Sequence, residues 1–134
     1  MSATKPLRVM LVEDHTAFRQ ALALLLSSEP DLEVVAQAGS LAEARQALLE
    51  GRLDVAVLDL ALPDGDGSDL IGELRRRNPG VSIVVLSAAM GPGDLDEAVA
   101  AGADAVLDKV ESLPIIAEEV RRQGEAQANQ QTRS

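Results

Sequence analysis

The stretch Leu7-Arg8-Val9-Met10-Leu11-Val12-Glu13-Asp14 is an apolar run closed by two acids. Buried strands of a parallel sheet read as short runs of this kind, and in open α/β sheets the ligand site lies beyond the carboxyl ends of the strands. The same plan returns at Asp54-Val55-Ala56-Val57-Leu58, which ends in Asp59. A third run, Val81-Ser82-Ile83-Val84-Val85-Leu86, ends in Ser87, and a fourth, Ala103-Asp104-Ala105-Val106-Leu107-Asp108, ends in Lys109. The runs thus aim carboxylates, a hydroxyl and an ammonium at one site.

Segments with helical spacing separate these runs. Phe18, Leu22 and Leu25 form one apolar stripe, Leu41, Ala44 and Leu48 a second, and Leu70, Ile71 and Leu74 a third. Ser40 with Glu43, and Asp94 with Glu97, have capping-box spacing, which marks two helix starts. Gly51 and Gly102 suit the left-handed position after a helix, and Asn78-Pro79-Gly80 cannot continue one. With Leu32 to Ala36 as a further strand and Leu113, Ile116 and Val120 as a last helical stripe, the chain reads as (βα)5. Right-handed crossovers then place helices on both faces of a doubly wound parallel five-stranded sheet. Residues 1–122 form this single domain, and the polar stretch 123–134, without apolar period, reads as a tail or linker.

Composition narrows the function. With 134 residues, one domain is expected, and with Phe18 the only aromatic residue the core must be aliphatic. The formal charge of -10 is a poor match for nucleic-acid phosphates or anionic lipid. Any DNA contact therefore belongs to another domain. Without cysteine there is neither a disulfide framework nor a thiolate metal site. No apolar run is long enough to span a bilayer and no signal-peptide core opens the chain, so a cytoplasmic location is the default expectation.

Clustered carboxylates repel, by about 4 kcal/mol per pair at ~4 Å and an effective dielectric of ~20. Mg²⁺ is the natural counter-charge, because it is hard, prefers oxygen, and is commonly held by one or two carboxylates together with a phosphate. Lys109 supplies a second positive charge and Ser87 a hydrogen bond for a transferring phosphoryl group. Asp59, at the end of a run that should be central in the sheet, is the best candidate for a nucleophile forming an acyl phosphate. Glu13 and Asp14, adjacent in sequence, suit metal and water ligation.

These residues carry a family resemblance. Leu11-Val12-Glu13-Asp14-His15, the loop Leu58-Asp59-Leu60-Ala61-Leu62-Pro63-Asp64-Gly65-Asp66-Gly67, Leu86-Ser87-Ala88, and Gly102-Ala103 leading to Lys109 resemble a response-regulator receiver domain of bacterial two-component systems. The likeness covers about residues 7 to 122. The run Glu13-Asp14-His15, the stretch Glu29-Pro30-Asp31-Leu32-Glu33-Val34-Val35 and the pocket loop are most similar to the subfamily carrying a C-terminal LuxR-type helix-turn-helix. The resemblance implies a flavodoxin-like fold and a signalling protein that catalyses only its own phosphorylation and dephosphorylation. It implies that Asp59 takes a phosphoryl group from a sensor histidine kinase. Asp14, Asp59 and the Ala61 carbonyl would hold Mg²⁺, with Glu13 acting through water. Lys109 would bind the phosphoryl group, Ser87 would swing towards it, and small Ala88 would leave it accessible. A homodimer and an effector domain reaching DNA are further implied partners.

The chain departs from that pattern at Val106, where an aromatic ring commonly rotates inward, and at Val110, where proline is frequent. A phosphorylation-independent docking module and a small metal-dependent phosphatase are the competing readings. A nucleotide-binding domain is disfavoured, because no glycine-rich loop follows the first run. Asp64 and Asp66 read as turn residues, His15 as a local cap or surface residue, and Arg75-Arg76-Arg77 as a solvated helix end complementing the dipole.

Overall fold

The computed structural model describes residues 5–88, 94–109 and 111–133. In chain order they form β1 (Leu7–Val12), α1 (Thr16–Ser27), β2 (Leu32–Ala38), α2 (Leu41–Leu48), β3 (Val55–Asp59), a short pair β4 (Ala61–Leu62) and β5 (Gly65–Asp66), α3 (Ser68–Arg77), β6 (Ser82–Ser87), α4 (Asp94–Ala101), β7 (Ala105–Asp108) and α5 (Leu113–Arg133). The main sheet has five parallel strands in the order β2-β1-β3-β6-β7, so β3 is central as its apolar run implies. β4 and β5 form a separate antiparallel hairpin in the loop after Asp59.

Strand alternation divides the core. Met10, Val12, Ala56, Leu58, Ile83 and Val85 face α2, α3 and α4, while Val9, Leu11, Val55, Val57, Val84 and Leu86 face α1 and α5. The central strands are buried on both faces, which is why they read as unbroken apolar runs. The expected stripes supply the covering side chains: Leu41, Ala44 and Leu48 from α2, and Leu70, Ile71 and Leu74 from α3, are all buried. Each such leucine or isoleucine contributes about 1.5–3 kcal/mol of transfer free energy. On α1 the stripe shifts by one residue, with Leu22, Ala23 and Leu26 buried and Phe18 and Leu25 only half-buried.

The cap on α2 forms with one variation. The Ser40 hydroxyl accepts the Glu43 N–H at 3.1 Å, and Glu43 Oε1 reaches back to the N–H of Gly39 at 2.6 Å, one residue beyond the expected Ser40. Gly51 and Gly102 both have positive φ. The side chain of Asp94, the other expected cap, and Val110 lie outside the described residues.

Two expectations are corrected. Arg75 is not a solvated helix end: its guanidinium donates to the carbonyls of Val81 and Gly102 and to Asp104 Oδ2 at 2.8 Å, and the same oxygen accepts the Ile83 N–H at 2.7 Å. It stitches α3 to the start of β6 and to the turn before β7. Nor does helical structure stop near Gln123, since α5 continues to Arg133 through residues read as a tail. Glu, Ala and Gln are good helix formers, and tertiary anchors extend the helix. Ser82 Oγ donates to the Gln123 carbonyl at 2.9 Å, and Gly124 is buried where a Cβ would lie 2.7 Å from Leu7 Cδ1 and 3.1 Å from Val55 Cγ2.

Candidate functional site

Sheet register assembles the site. Val12 lies opposite Leu58, and Asp59 opposite Leu86, so Glu13 and Asp59 emerge side by side at the carboxyl edge. The ladder continues past both ends, with the Glu13 N–H donating to the Ala38 carbonyl and the Lys109 N–H to the Ser87 carbonyl, each at 2.8 Å. Chain segments far apart in sequence are thereby brought level.

At this edge Glu13 and Asp59 are 3% and 6% exposed, and the Lys109 ammonium bridges them, 2.6 Å from Glu13 Oε1 and 3.1 Å from Asp59 Oδ2. The second oxygen of each carboxylate accepts a backbone N–H: Glu13 Oε2 from His15 at 2.8 Å, and Asp59 Oδ1 from Ala61 at 2.9 Å. Burial pushes the Glu13 carboxyl above its ordinary value, and the charge of Asp59 adds to the rise; Lys109 and the His15 N–H oppose it. For Lys109, burial favours loss of the proton, but hydrogen bonds and charge from Glu13 and Asp59 together outweigh it and hold the ammonium above its ordinary value. The lysine is therefore a fixed cation at neutral pH.

The remaining candidates surround this core. Asp14 is exposed, and it groups with Glu13 and His15 such that one ligand atom from each lies within 4.8 Å of the others. Ala61, Ser87 and Ala88 line, with Asp59, a cavity of about 700 Å³ that Ala98, Ala101 and Val106 also border. The donors suit a hard divalent cation, being carboxylate oxygens for the most part. Glu13 Oε1 is buried and, among the described residues, meets no partner other than the Lys109 ammonium at 2.6 Å, so it keeps acceptor capacity for a metal-bound water.

Phe18 and Arg19 join the site although no sequence motif marks them as site residues. The Phe18 ring centroid lies 5.1 Å from the Lys109 ammonium, a cation–π contact made by the one aromatic side chain. Arg19 Nη1 donates to the Glu13 carbonyl at 2.6 Å and so holds the peptide that carries the acidic pair. Asp64 caps α2 from outside it, accepting from the N–H groups of Leu41 and Ala42. Those bonds hold its carboxyl below the ordinary range. Asp66 keeps its expected turn role, accepting from the Ser68 N–H at 2.9 Å. His15 precedes α1 without a side-chain cap bond, and its Nδ1 is 3.9 Å from Glu13 Oε2.

Residues 9–121 match the family profile of the response regulator receiver domain. The chain belongs to this family. The DNA-binding transcriptional activator DevR/DosR of Mycobacterium tuberculosis is 40% identical over 102 residues, which are 76% of this chain and 47% of that protein. A LuxR-family two-component response regulator from Aurantimonas sp. SI85-9A1 superposes with a TM-score of 0.81 at 25% identity, covering 91% of this chain and 87% of that one. A response regulator from Burkholderia pseudomallei, solved with a phosphorylated aspartic acid, a calcium ion and citrate, has a TM-score of 0.76 at 25% identity over 92% of this chain and 72% of its own. The subfamily implied by the sequence motifs is thus represented among the proteins this chain is similar to. This receiver spans about half the length of the curated relatives it matches. Among the described residues, no helix is long and apolar enough to cross a membrane.

Proposed function

We propose that this receiver accepts a phosphoryl group on Asp59 from the phosphohistidine of a sensor histidine kinase and passes the signal on through a change of conformation. The observation that carries this reading is the buried pair of carboxylates, Glu13 and Asp59, joined by the Lys109 ammonium, with Asp59 lining a cavity. The phosphorylated aspartic acid and calcium ion of the Burkholderia pseudomallei regulator are in keeping with it.

In the transfer, a carboxylate oxygen of Asp59 bonds to phosphorus as the phosphorus–nitrogen bond breaks, and the electron pair returns to the imidazole. Lys109, already 3.1 Å from Asp59 Oδ2, meets the negative charge gathering on the phosphoryl oxygens without moving far. Ser87, on the cavity wall, donates a hydrogen bond to another of these oxygens, and Ala88 beside it leaves the approach open. Asp14, Asp59 and the Ala61 carbonyl would hold Mg²⁺, with Glu13 contributing through water. The ion supplies charge neutralisation for the transferring group. Val106 borders the same cavity with no ring to turn, so the readout runs through Ser87 and the start of α4.

The output is transcriptional, through a DNA-binding domain outside this chain, as the DNA-binding relative suggests. Helical residues after Gln123 make the link to it, and the whole acts in the cytoplasm with a second copy of the chain as a partner. Intact mass after incubation with Mg²⁺ and a small acyl phosphate donor, run beside Asp59→Asn, tests the chemistry; the lack of tryptophan removes the usual fluorescence assay. One added phosphoryl group, absent from the variant and without Mg²⁺, is expected. No adduct in the wild type would leave a docking module that works without phosphorylation.

A further inference from the structure

Asp64 sits at the turn of the β4–β5 hairpin, 23 residues in sequence from the helix end it caps. Its Oδ1 accepts the Leu41 N–H at 2.8 Å and its Oδ2 the Ala42 N–H at 3.1 Å. These are the first two donors of α2, which have no partner within a helix. The local cap does not compete for them, because Ser40 takes the Glu43 N–H. The backbone at the turn fits the close approach: Gly65 has a φ of +147°, and a Cβ there would lie 2.8 Å from Leu41 Cδ1.

The hairpin is consequently held at both ends. At its root Asp59 Oδ1 accepts the Ala61 N–H, and at its tip Asp64 holds α2. Because only Gly39 and Ser40 separate α2 from Ala38, whose carbonyl accepts from Glu13, the contacts close into a ring: Glu13, Ala38, α2, the hairpin, Asp59, Lys109 and Glu13 again. We propose that Asp64 is a positioning residue, which sets the Ala61 peptide against the Asp59 carboxylate and so pre-forms the oxygen donors for the divalent cation. This rests on the reading of the site given above.

The test is Mg²⁺ titration of the whole chain, followed by amide NMR, for the wild type, Asp64→Ala, Asp64→Asn and Ser40→Ala, with amide exchange at Ala61 recorded before metal is added. Loss of a residue that orients metal ligands commonly lowers affinity by about 10–100-fold. As Asp64 acts through the backbone and lies at the surface, the lower end, about tenfold, is expected for Asp64→Ala. The Ala61 amide should exchange faster in this variant. Asp64→Asn retains a capping oxygen and should bind Mg²⁺ close to the wild type. Ser40→Ala weakens the same helix end without touching the hairpin and should leave the affinity alone. An unchanged affinity in Asp64→Ala, or an equal loss in Ser40→Ala, overturns the proposal. Failure of the wild type to bind Mg²⁺ would instead overturn the reading of the site; in that case unaltered Ala61 exchange in Asp64→Ala would remove the tether as well.

Discussion

Replacing Lys109 by methionine keeps most of the side chain's volume and removes its charge, leaving Glu13 and Asp59 facing each other with 4% and 8% of their side chains exposed. At an effective dielectric of ~20, the 2.6 Å and 3.1 Å contacts are worth roughly 6 and 5 kcal/mol in Coulomb attraction before desolvation. Desolvation of the ammonium offsets much of this, and removing one member of a buried ion pair typically costs about 3–5 kcal/mol. We expect about 3 kcal/mol at pH 7 without divalent cation, toward the lower end because Asp59 borders a cavity that gives it some access to water. For a chain of this length that lowers the midpoint of thermal unfolding by about 10 °C.

The loss should depend on pH in a defined direction. Burial already raises the Glu13 carboxyl, and Lys109 is among the groups holding it down, so the variant raises it further. A carboxyl whose folded value exceeds its unfolded value favours folding while protonated, below its ordinary value of 4.5, and loses that contribution as pH rises through the folded value. The deficit of Lys109→Met should therefore shrink on going from neutral pH to about pH 5. Urea unfolding followed by circular dichroism at the two pH values measures it. A loss under about 1 kcal/mol at pH 7, or one that is unchanged at pH 5, would refute the reasoning that Lys109 neutralises two buried acids.

Other outcomes follow from individual contacts. Ser87→Ala should still take up the phosphoryl group, detected by intact mass, while amide shifts in Ala88 and α4 on phosphorylation fall by more than half. In Asn78→Ala the buried Leu53 N–H loses its acceptor at 3.0 Å, which should cost about 1–3 kcal/mol in urea unfolding and leave phosphorylation intact. Gly124→Val drives side-chain atoms into Leu7 and Val55 and should cost about 1–3 kcal/mol by the same assay.

Local pattern carried the sequence reading a long way. The strands were legible because burial on both faces of β1, β3 and β6 demands apolar runs, and α2 and α3 because their buried stripes follow the helical period. The acidic pair, Asp59, Ser87 and Lys109 stood out because each closes such a run. The extent of α5 was not legible, since residues after Gln123 have no apolar period and their anchor is Ser82, which is 41 residues away. Arg75 likewise resembled any basic helix end until Asp104, 29 residues on, was placed beside it.

By itself, the sequence determined the alternation of the five main-sheet strands with five helices, though not the β4–β5 hairpin, as well as the family and which side chains can reach the carboxyl edge, because these depend on near neighbours and on chemical type. Only the tertiary structure decided that Lys109 bridges Glu13 and Asp59 and that Asp64 holds α2. Such contacts join residues between 23 and 96 positions apart, and their geometry depends on sheet register and loop path, quantities that no local pattern of side chains encodes.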